Sequence, residues 1–141
     1  MAIVLYRENG ANCHVEHYPK NASETFTFND LVYIDANGDF TKYTTNAGTI
    51  LGQVLKTVAA TDSDYASTTK TPVLVCGAEA EYLCDVSTGT AAITNVGDYI
   101  DTDDHNSVDV DASTHDEFYV TQMVSTTQVV AKMTQRLPGV H

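Results

Sequence analysis

Short runs that alternate polar and apolar residues, or stay apolar for four residues, recur along the chain. Thr25–Asn29 alternates, and Leu31–Ile34 follows as an apolar run. Both consist of residues that favour β-structure, and neither has the 3.6-residue period of a helix. The pattern therefore predicts strands in this part of the chain.

Asn37-Gly38 separates Leu31–Ile34 from a second strand-like run, Phe40–Tyr43. A tight hairpin turn needs positive φ at both central positions, which Asn and Gly tolerate best. We therefore predict a hairpin whose structural turn is Asn37 and Gly38. Further along, Gly52 interrupts the strand-like Ile50–Val58, and a glycine inside a strand marks a bulge or a sharp barrel corner.

The second half of the chain continues the pattern of short strands. Val73–Cys76, Phe118–Val124 and Thr127–Met133 are predicted strands, the last two joined by a bend. Glu79–Val86 contains good helix formers but spans only about two turns, so a strand and a single helical turn are both open. Many short strands without a long helix predict an all-β barrel or sandwich.

The first 24 residues differ from the rest. Met1–Leu5 is strand-like, but loop-forming residues flank it at Arg7–Gly10 and Pro19–Ala22. We therefore predict an N-terminal extended arm at 1–24 and a β-barrel domain at 25–141. Apolar side chains in such an arm need a partner surface.

Charge limits the partners of the chain. Its 141 residues include 19 Asp and Glu against 7 Lys and Arg, a formal net charge of −12. Such a surface repels nucleic acid and anionic lipid, so neither nucleic acid nor a membrane is an expected partner. No apolar run approaches the roughly 20 residues that a membrane helix needs.

Two acidic stretches contain carboxylates that could bind a metal ion. Asp35-x-Asn37-x-Asp39 matches the start of a calcium loop, but the sixth position is Phe40 and the twelfth is Asn46, where glycine and glutamate are needed. The acidic segment 98–117 is either a cation site or a solvated rim that protects an edge strand. Neither stretch has a complete ligand spacing, so we expect no metal and no cofactor.

Groups for catalysis are missing from the sequence pattern. Cys13 and His14 are adjacent, and neighbouring side chains on a strand point to opposite faces. No nucleophile elbow, zinc-protease motif or phosphate-binding loop is present, so we predict no catalytic residue. Three cysteines form no even set, which suggests folding in a reducing cytoplasm, with Cys76 as a small core residue.

A family resemblance covers residues 26–76. Phe28–Phe40, a threonine-rich gap, Thr49–Val54, a polar loop and Thr71–Val75 follow in order. This succession of strand and turn types resembles the small β-barrel head decoration, or cement, proteins of tailed bacteriophages. The resemblance implies an all-β fold, a small β-barrel or β-sandwich (β-tulip-like) with an N-terminal extended arm, and a barrel corner at the segment around Gly52.

The same resemblance implies a structural virion protein. It would bind the outer surface of an icosahedral capsid as a homotrimer, with the major capsid protein as partner, and stabilise the expanded shell. Its location would be the capsid surface, after synthesis in the host cytoplasm. An arm could attach by adding a strand to an exposed sheet edge. The expected capsid-binding residues are Ile3, Val4, Leu5 and Tyr6.

Two other classes stay open. A receptor- or glycan-binding β module of a phage tail or fibre is the alternative, since the chain has 8 tyrosines, although it has no tryptophan for sugar stacking. A hydrolase ranks third, because it would need paired carboxylates with raised pKa values in a pocket.

Overall fold

The computed structural model describes residues 1–134, and within them the fold is all-β. No helix in this range is long and apolar enough to cross a membrane. The regular elements are β1 (Ile3–Arg7), β2 (His14–Pro19), β3 (Leu31–Ile34), β4 (Phe40–Lys42), β5 (Gly52–Val54), β6 (Lys70–Val75), β7 (Glu81–Thr88), the 3-10 turn η1 (Ile93–Asn95), β8 (Tyr99–Asp104), β9 (Ser107–Asp109), β10 (Phe118–Ser125) and β11 (Gln128–Met133).

Five strands close into a barrel. Their order is β7-β11-β10-β8-β9, and β9 returns to pair with β7 in parallel, so the ring has no free edge. Side chains that alternate inward along these strands, such as Cys84, Val129 and Phe118, form the main core. β1 lies outside the ring and pairs antiparallel with the first half of β7.

The remaining strands form an open sheet in the order β2-β6-β5-β3-β4. One face of this sheet, including Leu31, Tyr43 and Cys76, packs on the barrel core. The opposite face carries Val32, Phe40 and Val73, which with five other buried residues form a second core. Alternation along β3 separates the two cores, because successive side chains point to opposite faces of a strand.

Several predicted strands are confirmed. Leu31–Ile34 is β3, the Phe118–Val124 and Thr127–Met133 runs form the β10–β11 hairpin, and Glu79–Val86 resolves to a strand. The strand predicted at Thr25–Asn29 is wrong. Phe26 makes only an isolated two-bond bridge to Val58 there, because its flanking residues turn away into loops.

Gly52 begins β5, so the run predicted from Ile50 to Val58 shortens to three strand residues. A Cβ at Gly52 would lie 2.1 Å from the carbonyl oxygen of Leu74 on β6. Glycine is therefore required by the close approach of two backbones in the open sheet. The barrel corner predicted at Gly52 is wrong, because β5 lies outside the barrel.

The expected independence of residues 1–24 is not confirmed. β1 joins the barrel sheet through β7, and β2 joins the open sheet along the whole of β6. The sequence predicted a separate arm because of the loop-forming residues around Gly10. In the structure this loop connects β1 to β2, which belong to different sheets. The first 24 residues are thus built into both sheets.

The cysteines also differ from expectation. Cys13 and Cys76 form a disulfide that links the start of β2 to the residue after β6. Cys76 is buried as predicted, but it is not a free thiol. Cys84 is free and fully buried, and burial raises the pKa of its thiol far above the usual value, which makes it a poor nucleophile.

Candidate functional site

The open edges of both sheets belong to the N-terminal strands. Within residues 1–134, β1 ends the barrel sheet, and β2 ends the open sheet without a partner on its outer side. The other end of the open sheet is covered, because the amide of Asn21 bonds the carbonyl of Phe40 on β4 and Glu24 accepts from the amide of Lys42. An unpaired edge offers main-chain groups to a further strand.

The four predicted attachment residues divide between the two sides of β1. Ile3 is completely buried in the barrel core, and Leu5 packs against that core. Val4 is half-buried on the outer side, and Tyr6 is exposed with the Arg7 guanidinium 4.9 Å from its ring centre. Only Val4 and Tyr6 are therefore free to meet a partner.

Other exposed apolar side chains accompany these edges. Met1 precedes β1, and Val15 lies on β2 with half of its surface exposed. We call Met1, Tyr6 and Val15 the edge patch. Sequence analysis missed Val15, although its position between the polar residues His14 and Glu16 was visible in the pattern.

The β1 edge is partly occupied and the β2 edge is protected by charge. The Gln53 side-chain amide donates to the carbonyl of Ile3, which removes one acceptor from β1. On β2, a His14 ring nitrogen lies 3.1 Å from a Glu16 carboxylate oxygen, and Pro19 lacks an amide donor. Charged residues and proline on an edge oppose indiscriminate strand pairing.

The predicted turn at Asn37 and Gly38 is present, with a different geometry. Only Gly38 has positive φ, at 84°, and its amide bonds the carbonyl of Asp35. The Asp35 carboxylate accepts from the amides of Asn37 and Asp39 at 2.8 and 3.1 Å. The carboxylate that begins the calcium-like pattern is therefore used to hold the turn.

Part of the acidic segment 98–117 points inward. Glu117 is fully buried and accepts hydrogen bonds from the Tyr43 hydroxyl, the Asn46 amide and both the amide and hydroxyl of Thr102. Burial and the bond to Glu117 raise the pKa of the Tyr43 phenol well above its usual value. Glu117 thus joins the open sheet to the barrel.

Asp101 has a similar internal role. Its carboxylate accepts from three successive backbone amides, those of Thr114, His115 and Asp116, at 2.8 to 3.1 Å. Three N–H donors satisfy a buried carboxylate without a cation. The loop before β10 is therefore built around this side chain.

Other carboxylates of the segment point outward beside a shallow cleft. The cleft has a volume of about 480 Å³, and Asp98, Asp111 and Asp116 line it together with Tyr99. The Tyr99 ring lies 5.1 Å from the ring of Tyr119 on the neighbouring strand. Among the described residues, no group of three or more His, Cys, Asp or Glu has the arrangement of a metal site.

Comparison with known proteins gives no family. No known family matches the chain, and none of the curated proteins compared with it is significantly similar in sequence.

Proposed function

We propose that this chain is a structural virion protein that binds the outer surface of an icosahedral phage capsid and stabilises the expanded shell. The observation that carries the proposal is the position of both open sheet edges on the N-terminal strands. The family resemblance of residues 26–76 supplies the identity of the partner, the major capsid protein. Attachment occurs by strand addition at β2, where Val15 buries apolar surface, and Tyr6 contributes further apolar surface at the β1 edge.

The disulfide suits this location. Disulfides persist on virion and cell surfaces, whereas cytosolic thiols are kept reduced. Cys13 lies directly before β2, so its bond to Cys76 fixes the end of the edge that would receive the capsid strand. A fixed edge loses less conformational freedom on binding than a mobile one.

The acidic side of the barrel faces away from the capsid in this proposal, and three copies assemble around a threefold position. Affinity then derives from main-chain pairing and apolar burial. Binding is expected to weaken only modestly between low and moderate salt.

The test is co-sedimentation with emptied, expanded shells. Tyr6→Glu and Val15→Glu place a charge on the edge patch without touching the core, and each is expected to weaken binding by about tenfold or more. Phe28→Glu is the matched control, because Phe28 is 52% exposed in the loop before β3, outside the edge patch. Deleting residues 2–8 is a poorer test, since it removes the buried Ile3.

Wild-type protein that does not bind expanded shells would overturn the proposed function. Undiminished binding by both edge-patch variants would show that attachment uses another surface. Sedimentation of the free protein checks the expected trimer independently of the capsid.

A further inference from the structure

A second apolar surface lies on the outer wall of the barrel, along β10 and the segment that precedes β8. Residues 91–100 run antiparallel to β10, since the Ala91 amide bonds the Thr126 carbonyl and the Gly97 amide bonds the Val120 carbonyl, both at 2.9 Å. Exposed side chains on a closed barrel face outward. We call this surface the tyrosine wall; it comprises Ile93, Val96, Tyr99, Tyr119 and Val124.

The tyrosine wall consists of large apolar and aromatic side chains, and most of them are exposed to solvent. Ile93, Val96, Tyr99 and Val124 have 73%, 42%, 50% and 45% of their surface exposed, and they supply four of the eight large apolar side chains exposed within residues 1–134. Contiguous exposed apolar surface on a small protein marks an interaction site more often than scattered single residues do.

The charged residues that line the cleft are all of one sign. Asp98, Asp111 and Asp116 line the cleft under Tyr99. Residues 71–131 contain eleven acidic residues and no Lys or Arg. Lys132, the first basic residue after this stretch, lies opposite Tyr119 on β11 and pairs with Glu79 at 3.1 Å. The three cleft carboxylates therefore have no cationic partner among the described residues.

We propose that the tyrosine wall and its cleft bind a segment of a partner protein in which Lys or Arg side chains alternate with apolar residues. A cation placed in the cleft meets the Tyr99 side chain and three carboxylates together, and aromatic rings and carboxylates both favour ammonium and guanidinium groups. The apolar residues of the segment cover Ile93, Val96 and Val124. Tyrosine is enriched at the centres of protein interfaces.

A second copy of this chain fits the surface poorly. A twofold contact would place the same patch on both partners and bring six cleft carboxylates together. Anionic ligands are repelled for the same reason. This binding surface is separate from the β2 edge, so the inference stands or falls independently of capsid attachment.

The test uses the intact chain, labelled with ¹⁵N, and a synthetic peptide of alternating Lys and Leu. Saturable chemical-shift changes are expected at the amides of residues 91–99 and 119–124, with affinity that falls as salt rises. A peptide of alternating Glu and Leu should cause no such change. Oligolysine, which lacks the apolar residues, should bind more weakly.

Variants identify the cleft. Asp98→Asn/Asp111→Asn/Asp116→Asn keeps side-chain size and removes three charges, and Tyr99→Ala removes the ring; each should weaken peptide binding by about tenfold. Glu8→Gln is the matched control, since it removes an exposed charge from the loop after β1 and should leave affinity unchanged.

Three results would overturn the inference. One is shift changes spread evenly over all acidic surfaces, and another is equal affinity of the triple variant and Glu8→Gln. The third is saturation of the wall by a neutral oligosaccharide such as maltoheptaose at lower concentration than the Lys-Leu peptide, which would assign the cleft to glycans.

Discussion

The open sheet and the barrel differ in the cations that accompany their carboxylates, although backbone amides hold a carboxylate in both, as at Asp35 and Asp101. In the open-sheet region, Asp64 pairs with Lys56 at 2.7 Å, and four of the seven basic residues lie within residues 14–70. In the barrel, Asp101 and Glu117 are held by amide and hydroxyl donors instead. Acidic composition alone therefore does not distinguish structural carboxylates from surface charge.

The two regions also differ in how they are tied together. The barrel closes on itself through the parallel pairing of β9 with β7. The open sheet has no such closure, and its β2 strand is fixed by the Cys13–Cys76 disulfide. Four measurements would break or sharpen this comparison.

Removal of the disulfide should have the largest effect. The two cysteines are separated by 63 positions, and a loop of that size loses about 4 kcal/mol of stabilisation when opened. Cys13→Ala/Cys76→Ala should shift the denaturant midpoint accordingly, and reductant should no longer affect it. If reductant leaves the wild-type midpoint unchanged, the open sheet does not depend on this bond.

Loss of Glu117 tests the barrel in the same way. Glu117→Ala leaves the Tyr43 hydroxyl and the Asn46 and Thr102 amides without their acceptor, at a cost of about 3 kcal/mol. Glu8→Gln, on an exposed loop, should change the midpoint by less than about 0.5 kcal/mol. Equal midpoints for the two variants would contradict a structural role for Glu117.

Gly52→Ala probes backbone contact in the open sheet. The added Cβ meets the Leu74 carbonyl, and forcing β5 from β6 should cost about 2 kcal/mol. Gly38→Ala is the comparison, because nothing lies near its Cβ and only its positive φ opposes the change, by about 1 kcal/mol. Thermal melts that reverse this order would mean that the strands yield easily.

The smallest effect concerns pH at the junction of the two regions. Because the pKa of Tyr43 is raised in the fold, its contribution is complete below the unfolded value of roughly 10 and is lost as pH rises above it. Tyr43→Phe should be less stable at neutral pH but lose less stability between pH 9 and 11. Parallel pH profiles of the two proteins, measured by urea unfolding, would rule out this linkage.

Local pattern predicted much of the fold. Within residues 1–134, the β3–β4 hairpin, β10, β11 and the absence of long helices follow from strand periodicity and from turn residues such as Gly38. A barrel was one of the two predicted architectures, but the strands that close it could not be predicted, because closure depends on Val86 pairing with Val108 across distant sequence. The same limit hid the Cys13–Cys76 pairing.

The site was predicted less well than the fold. Ile3 and Leu5 pack on the barrel core, whereas Val4 and Tyr6 face outward. This division is set by the register of β1 on β7, which the sequence does not show. The sequence pattern places Glu117 in a solvated acidic rim. Its buried role is visible only from the hydrogen bonds that Tyr43 and Thr102 donate to it. These roles could not be predicted because the partner of each residue lies far away along the chain.

The pairing of β1 with β7 has a consequence for synthesis. Ile3 pairs with Cys84, so the strand is made long before its partner leaves the ribosome. At about 5 to 20 residues per second, an apolar strand waits roughly 4 to 16 seconds without a place in any sheet. During that interval the nascent chain is open to aggregation and to chaperone capture, and completion of β7 ends it.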